Sequence, residues 1–208
     1  MKIIVLGATG GTGMEIARQG IERGYSITAF VRSPERLEPF QERITVRQGD
    51  LLDRSDLEGA LRGHDAVLSG FGPRLPISES DADLLQRFAI VLTGAMGGAG
   101  VKRVVVISTA FLFRDSVLPP AYLFGRLFFP GIVRDAAAME DVLEKSGLDW
   151  TIVRPPQLKD KPLSGKYRVR VGHLPRFGFS IACADVADYM IKAAENPSLI
   201  GKVVGISN

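Results

Sequence analysis

The chain has 208 residues, enough for one good-sized domain and too few for two comfortable ones. Apolar residues make up 46% and charged residues 24%, a globular composition, and the net charge of +3 is too mild and too dispersed to point to nucleic acid. The single cysteine, Cys183, excludes an intrachain disulfide and fits a reducing cytosol; the N-terminus enters a strand at once, so no signal peptide is expected.

The first predicted strand, Lys2 to Leu6, meets Gly7-Ala8-Thr9-Gly10-Gly11-Thr12-Gly13. A helical segment and a second strand, Ser26 to Val31, follow. A strand, a glycine turn and a helix present free backbone N–H groups where a pyrophosphate can sit. Gly7 allows a sharp turn, Gly10 a close approach to phosphate, and Gly13 close packing of helix on sheet. Thr9 and Thr12 add hydroxyls toward the same anion. The alternative is a glycine-rich turn without a ligand, but the placement between strand and helix favours a dinucleotide. The second strand ends at Arg32, with Arg36 one turn on and no carboxylate at the strand end. A guanidinium there suits a 2′-phosphate, which favours NADP(H) over NAD(H).

Strands and helices alternate through the rest of the chain. Ile44–Gln48 reads as a third strand, followed by Gly49-Asp50-Leu51-Leu52-Asp53, and Asp53 caps a short helix through Ala60. His64–Ser69 reads as a fourth strand, with His64 an exposed turn residue before it, and Asp81–Gly97 as a helix with apolar residues at helical spacing. Lys102–Ile107 is a fifth, continuously apolar strand. Asp135–Ser146 is predicted helical with Gly147 as its C-cap, and Trp150–Val153 is a sixth strand stopped by Arg154-Pro155-Pro156. Tyr167–Val171 could form a short strand, Asp185–Glu195 a helix, and Lys202–Ser207 the closing strand. This order predicts an α/β fold: a Rossmann-type, doubly wound parallel sheet with helices on both faces and a small C-terminal elaboration on the substrate side. One domain over 1–208 is expected, with the 111–132 loop and the 155–180 region as substrate-side elements. The 111–132 segment is rich in Phe and Pro; its charges and prolines argue against a transmembrane span. It reads as a lid, a partner or dimer patch, or a loop packed on the core.

These motifs together resemble the atypical short-chain dehydrogenase/reductases of the NmrA-like, NAD(P)H-binding type, and within them the flavin-reductase and biliverdin-reductase-B branch. The residues that carry the resemblance are Gly7 to Gly13, Val31-Arg32, Gly49-Asp50-Leu51, Ser108 to Leu112, Ser146 to Thr151 and Val153-Arg154-Pro155-Pro156, in that order. The resemblance implies that Thr9 to Gly13 hold the pyrophosphate, Arg32 and Arg36 the 2′-phosphate, and Asp50 and Leu51 the adenine border. It also implies that Ser69, Gly70, Phe71 and Pro155 line the coenzyme and that Ser108 and Thr109 stand near the nicotinamide. In the flavin-reductase branch a serine occupies the place of Thr109.

Two departures bear on chemistry. Counted from Ser146-Gly147-Leu148, the Tyr-x-x-x-Lys positions of ordinary short-chain dehydrogenases fall on Ile132 and Ala136, and neither side chain can carry a proton. Tyr122 precedes Arg126 by four and is a weak substitute. Gln157 follows the paired prolines where the flavin reductases have His; it can orient a substrate but cannot titrate. Hydride transfer to a planar acceptor (flavin, quinone or tetrapyrrole) is therefore favoured over carbonyl–alcohol exchange. Phe111, Phe113, Tyr122 and Gln157 are expected to shape the acceptor pocket, and Lys159, Lys161 or Arg154 to attract an anionic tail. Cys183 reads as a small buried filler. His64, His173 and Cys183 lie too far apart for a metal site. A non-catalytic, NADP-binding redox sensor is the competing reading. A cytoplasmic monomer or homodimer without nucleic-acid partners is expected.

Overall fold

In β1 (Lys2–Leu6), alternate residues point to opposite faces of the sheet. Ile3 and Val5 join one apolar layer, and Ile4 and Leu6 join the other. A strand fully buried on both faces needs a helical cover on each, and the chain supplies both. The computed structural model describes residues 1–40, 42–73, 82–115 and 120–208.

Eight strands form one sheet in the order β3-β2-β1-β4-β5-β6-β10-β8. They are β2 (Ser26–Val31), β3 (Thr45–Gln48), β4 (Ala66–Ser69), β5 (Arg103–Ile107), β6 (Asp149–Arg154), β8 (Arg168–Val171) and β10 (Lys202–Ser207) beside β1. All pairings are parallel except the edge pair of β10 with β8. Helices α1 (Gly11–Glu22) and α6 (Cys183–Glu195) cover one face. Helices α2 (Arg54–Leu61), α3 (Leu84–Ala99) and α5 (Pro130–Glu144) cover the other. This is the Rossmann-like, doubly wound architecture expected from the alternation of elements. The strand order reverses between β1 and β4, the point where such sheets open a crevice at their carboxyl ends.

Several elements depart from expectation. The 111–132 segment is not a loop throughout. A 3-10 turn covers Ala110–Leu112, helix α4 covers Ala121–Phe128, and α5 already begins at Pro130. Proline lacks the N–H that a first helical residue would leave unpaired, so Pro130 starts a helix where prolines had suggested a loop. Asp135 is thus interior to α5 and not at its start. Two short strands, β7 (Gln157–Lys159) and β9 (Ser180–Ala182), pair in a separate small sheet that had no sequence signal. The fourth strand starts at Ala66 because His64 is a half-buried turn residue: its Nδ1 lies 3.1 Å from the Leu61 carbonyl and its Nε2 2.8 Å from Thr28 Oγ1. Asp81 and Pro119 lie outside the described residues. No helix among the described residues is long and apolar enough to cross a membrane.

Three backbone segments meet where β1 ends. A Cβ placed on Gly13 would stand 2.2 Å from the Gly7 carbonyl oxygen. One on Gly7 would stand 2.8 Å from Phe71 N, and one on Gly70 would stand 3.0 Å from Gly13 N. Gly7 also has φ +73°, a conformation that side chains disfavour. The start of α1 is therefore pressed against the ends of β1 and β4. Gly13→Ala is expected to lower the unfolding free energy by about 1–3 kcal/mol through overpacking, seen as a reduced midpoint in urea at unchanged slope.

Candidate functional site

A cleft of about 690 Å³ runs along the carboxyl ends of the strands. Its walls bring together Gly7, Thr9, Gly10, Gly11, Thr12, Arg32, Arg36, Asp50, Leu51, Gly70, Phe71, Ser108 and Thr109 among the residues singled out from sequence.

At one end stands the N-terminus of α1. Gly10 is its N-cap and has no side chain to bond the orphan donors, and no acidic residue occupies the first turn. The first intrahelical bond is from Met14 N–H to the Gly10 carbonyl, 2.9 Å. The N–H groups of Gly11, Thr12 and Gly13 therefore precede the helix ladder without a cap of their own. The Thr12 hydroxyl is buried and has no hydrogen-bond partner. Uncapped donors, an orphan hydroxyl and the positive end of a helix dipole suit a pyrophosphate. Gly13 itself sits behind the cleft, in the contact with Gly7. Cys183 at the start of α6 closes the floor: a Cβ on Gly11 would come within 3.1 Å of its Sγ. Burial pushes the Cys183 thiol pKa above its ordinary value, so it acts as a filler here and not as an activated thiol.

Beside this cradle the end of β2 delivers Arg32. Arg36, on the following 3-10 turn, donates from Nη1 to the Thr9 carbonyl at 3.2 Å. Both guanidinium groups line the same stretch of wall, opposite Asp50 and Leu51. Ser69 is fully buried and accepts the Phe71 N–H at 3.3 Å; it shapes the turn without reaching the cleft surface. Phe71 packs on Phe88 with ring centroids 4.8 Å apart.

At the far end, Ser108 and Thr109 leave β5. The Ser108 N–H bonds the Val153 carbonyl at 2.7 Å and the Ala110 N–H bonds the Pro155 carbonyl at 3.0 Å. Pro155 thus fixes the turn from behind, buried and off the cleft wall. The positions equivalent to Tyr-x-x-x-Lys, Ile132 and Ala136 on α5, do line the cleft.

The residues expected to shape the acceptor pocket stand elsewhere. Phe113 is buried beneath the Arg154 guanidinium, 4.8 Å from ring centroid to Cζ. Phe111 stacks with Phe129 and receives the glycine face of α4 at Gly125. Tyr122 sits on α4, where the Arg126 Nη1–H bonds its hydroxyl at 2.9 Å and holds the phenol below its ordinary pKa, away from the cleft wall. Gln157 is exposed on β7, whereas its neighbour Leu158 lines the cleft. His173 is exposed and contacts Asp115. Arg154 is not free for an anionic tail, because both of its contacts with Glu140 are ionic. No group of His, Cys, Asp and Glu that could hold a metal occurs among the described residues.

Two functional carboxylates were missed, both on α5 and both buried. Asp135 accepts the N–H groups of Leu85 and Gln86, each at 2.9 Å, and so caps α3 from a neighbouring helix. Glu140 accepts the Ser108 hydroxyl and pairs with Arg154. The available signal was their spacing: Asp135 and Glu140 fall on the apolar stripe of Val133, Ala136, Met139 and Leu143.

The family model described as NAD(P)H-binding matches residues 7–197. An uncharacterised chloroplastic protein of Arabidopsis thaliana is 32% identical over 173 residues, 79% of this chain and 61% of its own length. The (4-alkanoyl-5-oxo-2,5-dihydrofuran-3-yl)methyl phosphate reductase of Streptomyces griseus is 32% identical over 190 residues, 89% of this chain and 59% of its own length. The chain thus spans about six-tenths of these relatives. Among solved structures, a Rossmann-fold NAD(P)-binding protein of Shigella flexneri superposes with a TM-score of 0.75 at 25% identity, covering 100% of this chain and 93% of that one. The anaerobilin reductase ChuY of Escherichia coli O157:H7 gives a TM-score of 0.80 at 21% identity, with 100% and 97% covered, a likeness of fold.

Since Asp135 holds the first turn of α3, whose Leu84 and Leu85 form part of the cleft wall, Asp135→Ala is expected to cost about 1–3 kcal/mol. Hydrogen exchange should show the loss concentrated at the start of α3, with the α1 amides unchanged.

Proposed function

The chain belongs to the NAD(P)H-binding family, and on that premise we propose that it is an NADPH-dependent reductase that passes hydride to a planar small-molecule acceptor. The observation that carries the reading is the layout of one cleft. Arg32, Arg36 and the uncapped start of α1 line one end, and Ser108 and Thr109 the other, with the apolar Ile132 and Ala136 beside them.

Gly11, Thr12 and Gly13 would bind the coenzyme pyrophosphate through N–H groups, and the Thr12 hydroxyl would gain the partner it lacks. Arg32 and Arg36 would hold a 2′-phosphate, which favours NADP(H) over NAD(H). Asp50 and Leu51 would border the adenine, and Gly70 and Phe71 the middle of the coenzyme. When bound, NADPH supplies the hydride. The protein contributes orientation: an apolar wall against which a flat acceptor can stack in reach of the transferred hydrogen. Ile132 and Ala136 offer no exchangeable proton, so this site suits acceptors that take hydride first and a proton from water afterwards. A reductase of Streptomyces griseus among the relatives supports reduction as the class of reaction.

A second reading, a coenzyme-binding redox sensor without turnover, draws on α4. This helix buries Ala121 and Gly125 and exposes Leu123, Phe124, Leu127 and Phe128, an apolar face suited to a partner protein. Steady-state NADPH oxidation with FMN, FAD and simple quinones separates the two. Turnover supports the reductase; tight NADP(H) binding with no turnover on any acceptor supports the sensor.

Coenzyme choice is tested independently. Arg32→Glu should weaken NADPH by at least tenfold in calorimetry while leaving NADH nearly unchanged, because the replaced charge faces only the 2′-phosphate. Equal losses for the two coenzymes would contradict the assignment.

A further inference from the structure

We infer that Ser108 and Thr109 form an acceptor–donor pair of fixed polarity that takes the adjacent N–H and C=O of a carboxamide or lactam edge. The inference rests on the reading of the cleft as a coenzyme site and adds the chemistry that its far end recognises.

A hydroxyl ordinarily donates or accepts as its surroundings require. Here the surroundings decide. The Ser108 hydroxyl donates to Glu140 Oε1. Glu140 is 4% exposed, and both its oxygens are held by Arg154, Nε–H to Oε1 at 3.0 Å and Nη2–H to Oε2. A carboxylate paired in this way accepts only. Arg154 is itself pinned over the Phe113 ring, so the group that fixes Glu140 has little room to move. The Ser108 hydrogen is thereby committed inward, and what Ser108 turns to the cleft is lone pairs.

Thr109 is the complement. Its Oγ1 accepts the Phe111 N–H at 3.3 Å as the cap of the 3-10 turn. Its hydrogen has no acceptor among the described residues, which leaves it for the cleft. Two consecutive side chains on the same wall therefore offer one acceptor and one donor. An amide-type edge satisfies both. A simple quinone, which carries acceptors alone, satisfies Thr109 and leaves Ser108 facing a second oxygen. A site built around a hydrogen bond discriminates strongly against ligands that cannot make it.

Two sources can supply such an edge: the carboxamide of the nicotinamide, or the imide or lactam of a flavin or linear tetrapyrrole acceptor. Binding measurements separate them without requiring turnover. NADP+ and its 3-acetylpyridine analogue, in which the amide NH2 is a methyl group, are titrated into wild type and Ser108→Ala. FMN and N3-methyl-FMN are then titrated into the NADP+-loaded proteins by flavin fluorescence. If the coenzyme supplies the edge, wild type prefers NADP+ over the analogue by about tenfold, one hydrogen bond, and Ser108→Ala removes the preference. If the acceptor supplies it, the same pattern appears for FMN over N3-methyl-FMN. Glu140→Gln, a positioning change, should lower that discrimination because an amide can donate to Ser108 and return its hydrogen to the cleft; a purely structural role would weaken every ligand equally. Absence of both preferences in wild type, or their survival in Ser108→Ala, overturns the inference. Failure of the parent reading looks different: NADP+ itself would not bind.

Discussion

Everything at this site depends on how closely three stretches of backbone approach one another at Gly7, Gly13 and Gly70. A single methyl group at any of these positions would enter the space of a neighbouring main chain. The contact sets the height of α1 on the sheet, and so decides where its free N–H groups point. It also holds the end of β4 against the start of α1, which places Gly70 and Phe71 on the cleft wall. An anion site made of backbone donors needs no charged side chain of its own, provided the geometry is rigid, and close glycine packing provides the rigidity.

The opposite end of the cleft is organised by one helix. From α5 come Ile132 and Ala136 on the wall, Asp135 capping α3 and Glu140 holding Ser108. Each buried carboxylate has partners for both oxygens: two backbone N–H groups for Asp135, and Arg154 with Ser108 for Glu140. Burial of these charges is tolerable only because they are fully paired. The same pairing fixes the direction of the Ser108 hydroxyl, so a packing requirement of the core becomes a chemical property of the cleft.

The strand–turn–helix start, the alternation of layers and most strand positions could be read from the sequence because they are local: apolar periodicity, glycine at the turn, Arg32 at a strand end. What escaped is what tertiary contact decides. Pro130 reads as a breaker until its place at a helix start is known. The pairing of β7 with β9 joins segments too short to carry a periodic pattern. Asp135 and Glu140 look like surface charges unless their place on the buried stripe of α5 is noticed, and their partners lie 50 and 32 residues away, at Leu85 and Ser108. Phe113 and Arg154 were assigned to a pocket that neither lines; each satisfies the other beneath it.

The most direct test of the central claim is a crystal structure of the protein grown with NADP+. The account predicts pyrophosphate oxygens on the N–H groups of Gly11, Thr12 and Gly13, the 2′-phosphate between Arg32 and Arg36, and the nicotinamide beside Ser108 and Thr109. A coenzyme bound with its pyrophosphate away from the start of α1, or full-strength data from soaked crystals with no coenzyme in the cleft, would contradict it.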